Sequence, residues 1–195
     1  MHKVKSICVY CGSSNSTKEI YKEAAKDTGK FIAQNGYKLV YGGGQVGLMG
    51  ITADATLEEG GYVLGFMTRL LDKYEGGHSG ISELHIVDSM HERKQKMFEH
   101  SDAFIILPGG FGTLDEVFEL LTWKQIGLHE KGIYFLNINN YWRPLFDLFV
   151  DHMIENGFVR QSDRNLYMIV DSIKDLGAAL EKTPAPNGDI LSKWV

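Results

Sequence analysis

Apolar residues fall in short runs separated by longer stretches on helical spacing. Ala103-Phe104-Ile105-Ile106-Leu107 is one such run, short and rich in strand formers, and it predicts a buried strand. Leu114, Val117, Leu121 and Leu128 then recur at helical intervals. The same alternation starts early. Val4 to Tyr10 predicts a first strand, and a helix carrying Ile20, Ala24, Phe31 and Ile32 runs to about Gln34, ended by Asn35-Gly36. Tyr37 to Tyr41 predicts a second strand, followed by a helix to about Glu59 that Gly60-Gly61 stop. Tyr62 to Met67 and Leu84 to Val87 predict the third and fourth strands, and a helix from Ser89 to about His100 comes next. Beyond the central run, Gly132 to Leu136 and Leu166 to Val170 predict strands, with helices at Pro144 to Glu155 and Ser172 to Glu181. Thr68 to Ser82 is charged and contains Gly76-Gly77 and His78; it reads as a mobile loop over a site.

Strands alternating with helices specify an α/β fold: one doubly wound domain over residues 1–182, about seven mostly parallel strands, helices on both faces. Residues 183–195, with Pro184, Pro186 and Gly188, read as a loosely held tail. Ligands of such sheets bind at the carboxyl ends of the strands. Cys11-Gly12-Ser13-Ser14, two glycine-rich turns and the Arg93 segment all follow predicted strands. They can converge on that edge.

Pro108-Gly109-Gly110-Phe111-Gly112-Thr113-Leu114-Asp115-Glu116 joins a strand to a helix. Such a turn points free N–H groups and the positive end of a helix dipole into one spot, which suits a phosphate. Glu116 then stands about one turn inside the helix. Thr113-x-x-Glu116 is equally a capping box, in which both side chains close off free N–H groups. Gly42-Gly43-Gly44-Gln45-Val46-Gly47 matches the dinucleotide fingerprint in letters and context, but the next strand ends in Phe66-Met67-Thr68-Arg69 without the carboxylate an NAD site needs. A mononucleotide or sugar phosphate held between the two turns fits better, and tight packing alone is the remaining reading. Neither turn ends in Gly-Lys-Ser/Thr, which argues against a P-loop triphosphatase.

Ser89-x-x-Glu92 also has the capping-box form, here favoured as a cap. Arg93 and Lys94 follow it at a helix N-terminus, where the dipole disfavours cations. They either reach solvent or meet an anion, and arginine suits a phosphate or carboxylate because its planar fork donates two hydrogen bonds. Cys8 and Cys11 have C-x-x-C spacing on a strand, which sends them to opposite faces; Cys8 reads as core and Cys11 as turn. The seven histidines lack metal-ligand spacing. His129 reads as a residue complementing a helix dipole, and His78 and His91 as polar packing or minor ligand contacts.

Composition narrows the partners. A chain of 195 residues with net charge −5 lacks the basic excess of a nucleic-acid binder. No apolar stretch approaches a membrane span, and the start lacks a signal-peptide pattern, so a cytoplasmic protein without membrane contact is expected. Two cysteines make no disulfide framework. No metal and no cofactor are expected.

With these residues in hand, the sequence resembles the LOG family of cytokinin-activating phosphoribohydrolases over nearly its whole length. The resemblance rests on Gly42-Gly43-Gly44 with Gly47-Leu48-Met49-Gly50, on Met90-His91-Glu92-Arg93-Lys94, on Pro108 to Glu116, and on Leu121 to His129. It implies a Rossmann-like fold, a homodimer, and hydrolysis of the N-glycosidic bond of N6-modified adenosine monophosphates. Arg93 and Glu116 match the family's catalytic pair. Gly110, Phe111, Gly112, Thr113, Glu116, Lys94, Thr122 and, by a looser alignment, Glu75 match its substrate-binding positions. Gly12, Ser13, Gly42, Gly43, Gly44, Gly47 and Met90 complete the expected nucleotide cradle. Some members are labelled lysine decarboxylases, but no residue context here marks a lysine as a pyridoxal phosphate anchor. A broader purine nucleotide phosphoribohydrolase and a non-catalytic nucleotide or cofactor carrier are the rival readings.

Overall fold

All strand pairings within the described sheet are parallel. The computed structural model describes residues 4–181, so the predicted tail lies outside the described residues. In chain order the main elements are β1 (Ser6–Tyr10), α1 (Glu19–Gln34), β2 (Lys38–Tyr41), α2 (Gly47–Glu58), β3 (Val63–Thr68), α3 (Arg69–Glu75), β4 (Glu83–Val87), α4 (Met90–Glu99), β5 (Ala103–Ile106), α5 (Phe111–Gln125) and β6 (Gly132–Leu136). A π-helical segment, Leu145–Val150, then runs into α6 (Asp151–Glu155), and β7 (Met168–Val170) and α7 (Ile173–Leu180) close the described chain.

The sheet order is β4-β3-β2-β1-β5-β6-β7. Winding reverses between β1 and β5, and the two strands diverge into separate crossovers there, leaving a crevice beyond their carboxyl ends. The sequence places Cys11-Gly12-Ser13 after β1 and Pro108-Gly109-Gly110 after β5. The fold therefore puts the chemically richest turns at its natural ligand position.

Strand alternation divides the core into two layers. Ile7, Val9, Leu39, Tyr41 and Ile105 face α1, α2 and α7, packing on Ala25, Ile32, Leu48, Ala53 and Leu176. Cys8, Tyr10, Val40, Phe104 and Phe135 face the other way, onto Met97 of α4, Val117 and Leu120 of α5, and Phe146. Cys8 and Cys11 are free thiols that belong to opposite layers, as the strand reading requires.

Three local expectations change. The segment from Thr68 to Ser82 contains helix α3, capped by the Thr68 hydroxyl accepting from Leu71 N at 3.2 Å. That helix buries none of its residues, so it left no apolar period to read. The final strand is shorter than predicted, because Gln161–Leu166 forms a 3-10 helix. His129 does not complement a dipole. It is buried and pushed down to about 4 by desolvation, and its ring is used at both nitrogens, by Leu120 O at 3.0 Å and by the N–H of Lys131 at 3.1 Å. A neutral imidazole offers a helix end no charge.

Candidate active site

A cleft of about 610 Å³ opens between the ends of β1 and β5. Its lining includes Gly12, Ser13, Gly42, Glu75, Met90, Arg93, Gly110, Phe111, Gly112, Thr113 and Glu116. These come from five separated stretches of the sequence, and the switch point of the sheet gathers them.

The turn after β5 is an open anion cradle. Helix α5 is capped by Gly110, which provides no side-chain cap. The Leu114 N–H donates to Gly110 O at 3.0 Å, whereas the N–H groups of Gly110, Phe111, Gly112 and Thr113 have no partner among the described residues. Groups in that state at a helix N-terminus bind anions. The turn is held tight from beneath. Pro108 O accepts from Gly12 N at 3.0 Å, tying it to β1. A Cβ at Gly109 would sit 2.1 Å from the Thr113 hydroxyl oxygen, so only glycine fits there.

The capping-box reading of Thr113 and Glu116 fails on helix position. Helix α5 begins at Phe111, which puts Thr113 inside its first turn and Glu116 in its second. Ser89 and Glu92 do form the predicted cap: Ser89 Oγ accepts from Glu92 N at 3.1 Å and the Glu92 carboxylate accepts from Asp88 N at 3.1 Å.

The second glycine turn differs from the first. Here the leading N–H groups of α2 are already used, Gly47 N by Asn15 Oδ1 at 2.8 Å and Leu48 N by Gly12 O at 3.0 Å. Gly47 has φ of 61° and packs so closely on Ser13 that a Cβ would lie 2.4 Å from its carbonyl carbon. Gly43, Gly44 and Gly47 lie outside the cleft lining; Gly42 belongs to it. This turn is principally a packing joint.

Gly42 contributes through its carbonyl, which accepts from Arg93 Nη2 at 2.8 Å, while Phe66 O accepts from Arg93 Nε at 2.8 Å. Arg93 is 6% exposed. Two backbone carbonyls thus fix the guanidinium and satisfy part of its donor set. Its Nη1 lies 3.7 Å from Glu116 Oε1 and 4.0 Å from the Met90 sulfur. The structure therefore aims Arg93 at Glu116.

Glu116 is the most perturbed carboxylate of the cleft. Burial pushes it up to about 7, and Asp115 and Glu119 add to the rise, against the downward pull of Arg93 and Lys94. A helix dipole favours an ionised carboxylate near the N-terminus, but it fades beyond the first turn, and desolvation outweighs it here. The carboxylate is consequently poised near neutrality, as acid–base groups of active sites commonly are.

Lys94 and Thr122 lie outside the lining of this cleft. Lys94 Nζ sits 3.1 Å from both Asp115 and Glu119, and the Thr122 hydroxyl donates to Phe118 O at 2.7 Å. Lys94 thus neutralises the acids beside Glu116. His78 binds Asp54 at 2.8 Å, away from the cleft. The sequence reading missed Tyr141 and Tyr21, which also line the cleft. Tyr141 falls in an irregular segment after β6, where no motif marks it.

Among the described residues no group of three or more His, Cys, Asp or Glu side chains is arranged to hold a metal. No described helix is long and apolar enough to cross a membrane.

Sheet topology, anion turn and poised carboxylate together define a Rossmann-like α/β protein with a candidate active-site cleft at its switch point. A family model described as "possible lysine decarboxylase" matches residues 49–180. The chain belongs to that family, within its LOG branch of cytokinin riboside 5'-monophosphate phosphoribohydrolases. It is 40% identical over 192 residues to cytokinin riboside 5'-monophosphate phosphoribohydrolase LOG5 of Arabidopsis thaliana, covering 98% of this chain and 83% of that one. It is 42% identical over 180 residues to the probable enzyme LOG6 of the same plant, covering 92% and 89%. Among solved structures, the molybdenum cofactor carrier protein of Chlamydomonas reinhardtii superposes with a TM-score of 0.70 at 19% identity, covering 91% and 96%. At that identity the likeness is one of fold.

Proposed function

We propose that this protein hydrolyses the N-glycosidic bond of N6-modified adenosine 5'-monophosphates, releasing the free base and ribose 5-phosphate. The observation that carries the reading is Glu116: a buried carboxylate, aimed at by a fixed arginine, one turn of helix beyond an open anion cradle. The kinship with phosphoribohydrolases supports it independently.

Breaking this bond builds positive charge on the ribose ring. The free N–H groups of Gly110 to Thr113 hold the 5'-phosphate, which brings C1' toward Glu116. Glu116, once ionised, stabilises the developing oxocarbenium ion and accepts a proton from the attacking water. Arg93 favours the ionised form and fixes its orientation. With Nε and Nη2 committed to Phe66 O and Gly42 O, it is poorly disposed to clasp a phosphate as a bidentate fork. Met49, Leu71, Met90 and Phe111 give the cleft an apolar portion suited to an N6 substituent. Assembly as a homodimer belongs to the same proposal.

Neither Lys94 nor Lys124 supports a decarboxylase. Lys94 is paired with two carboxylates, and Lys124 is buried with its amine on Lys131 O at 3.0 Å. The test is chromatography of products after incubation with a panel of nucleoside monophosphates. Release of N6-prenylated base together with ribose 5-phosphate is expected. Adenine released from AMP at equal efficiency points to the broader purine enzyme, and nucleotide binding without base release contradicts hydrolysis altogether.

A further inference from the structure

We propose that Tyr141 is a positioning residue that locks the orientation of the phosphate-binding turn, a role that rests on the cradle assigned under the proposed function. Its hydroxyl donates to Gly109 O at 2.7 Å. The Gly109–Gly110 peptide is the joint of the cradle with the least intrinsic backbone restraint, because neither flanking residue has a side chain. A trans peptide is planar, so its carbonyl and its N–H turn together. Holding Gly109 O therefore fixes the direction of the Gly110 N–H, the leading free donor of the cradle. A flipped plane would present the ligand with a carbonyl oxygen instead, which repels an anion.

The surrounding structure builds Tyr141 for this task. Asn139 and Asn140 both adopt left-handed backbone, with φ of 51° and 59°, a conformation that side chains rarely hold in succession. That corner delivers Tyr141 to the cleft, where its ring meets Tyr21 edge-on at 5.6 Å between centroids. The next residue, Trp142, is buried, and its indole N–H donates to Ile106 O at 3.3 Å. Asn137 clasps the segment from inside, accepting from Trp142 N at 2.9 Å and donating to Asp171 at 2.7 Å. Trp142 thus registers Tyr141 on β5, the strand that feeds the Gly109 turn. With its proton on Gly109 O, the phenol has no donor left for a phosphate. Its action is through the turn.

The experiment compares the wild-type chain with Tyr141→Phe, which keeps the ring and removes one hydrogen bond. Calorimetric titration with ribose 5-phosphate should give an affinity about tenfold weaker in the variant, and adenosine affinity should be unchanged. With nucleotide substrate, KM should rise while the midpoint of the pH profile of kcat stays in place. Equal ribose 5-phosphate affinity in both proteins overturns the role of Tyr141, and so does an equal loss of affinity for adenosine, which marks general loosening. A wild-type chain that fails to bind ribose 5-phosphate overturns the cradle and this role with it. Base release by a chain that binds ribose 5-phosphate equally well with and without the hydroxyl leaves the hydrolase reading intact and removes only Tyr141.

Discussion

Arg93 Nη1 stands 3.7 Å from Glu116 Oε1, and two backbone carbonyls on other elements hold the guanidinium there. The pair joins α4 to α5 across the carboxyl edge of the sheet. At that distance it is an electrostatic partnership and not a tight hydrogen bond. Arg93 moderates the upward pull of burial on Glu116 without abolishing it, leaving the carboxylate at about 7.

The pH dependence of turnover follows from this balance. If ionised Glu116 drives the reaction, kcat/KM should rise through a midpoint near 7 and level off above it. Below the midpoint it should fall about tenfold per pH unit. A rate profile flat from pH 5.5 to 8.5 contradicts the assignment.

Stability should move in the opposite sense. A carboxylate raised in the folded state from 4.5 to about 7 binds its proton more tightly when folded. The protonated group's advantage is present below the unfolded value of 4.5 and disappears as pH rises through 7, where ionisation strains the fold. Glu116→Gln should therefore melt higher than wild type at pH 8.5, by an amount on the order of 3 kcal/mol. The difference should shrink toward pH 5. Denaturant titrations at the two pH values measure it, and a variant less stable at pH 8.5 sinks the account of burial.

Arg93→Ala removes the moderating charge and leaves two buried carbonyls without donors. Turnover should fall by about 10²-fold through lost positioning alone. Each unsatisfied acceptor should cost about 1–3 kcal/mol of stability. The pH midpoint of any residual activity should shift upward. A purified variant with an unchanged midpoint and rate removes Arg93 from the site.

Two neighbouring glycines separate close packing from ligand access. Gly109→Ala forces a Cβ to within 2.1 Å of the Thr113 hydroxyl and must push the cradle apart. At Gly110 a Cβ meets nothing within 4 Å. Melting temperature should fall clearly for Gly109→Ala and little for Gly110→Ala. Equal melting temperatures for the two contradict the described packing.

Much of this architecture could be read from sequence because apolar runs on strands β1, β2, β3, β5 and β6 alternate cleanly with amphipathic helices. The anion turn was equally legible, since Pro108, Gly109 and Gly110 sit between a strand and a helix. Other features depended on tertiary context. Helix α3 has no buried face, so only its Thr68 cap and Gly76 stop could have signalled it. The equivalence of the two glycine turns dissolved because Asn15 and Gly12, far away in sequence, occupy the N–H groups of one and leave those of the other free. The raised pKa of Glu116 was hidden for a similar reason. Helix position is local, whereas burial depends on what the fold lays over the side chain.

The most direct measurement is single-turnover hydrolysis by Glu116→Gln beside its nucleotide affinity. The variant keeps the shape of the side chain and removes its charge. Nucleotide should bind within a few-fold of wild type, while the rate of base release falls by about 10²–10⁴-fold. Near-normal base release with the charge removed would contradict the account at its centre.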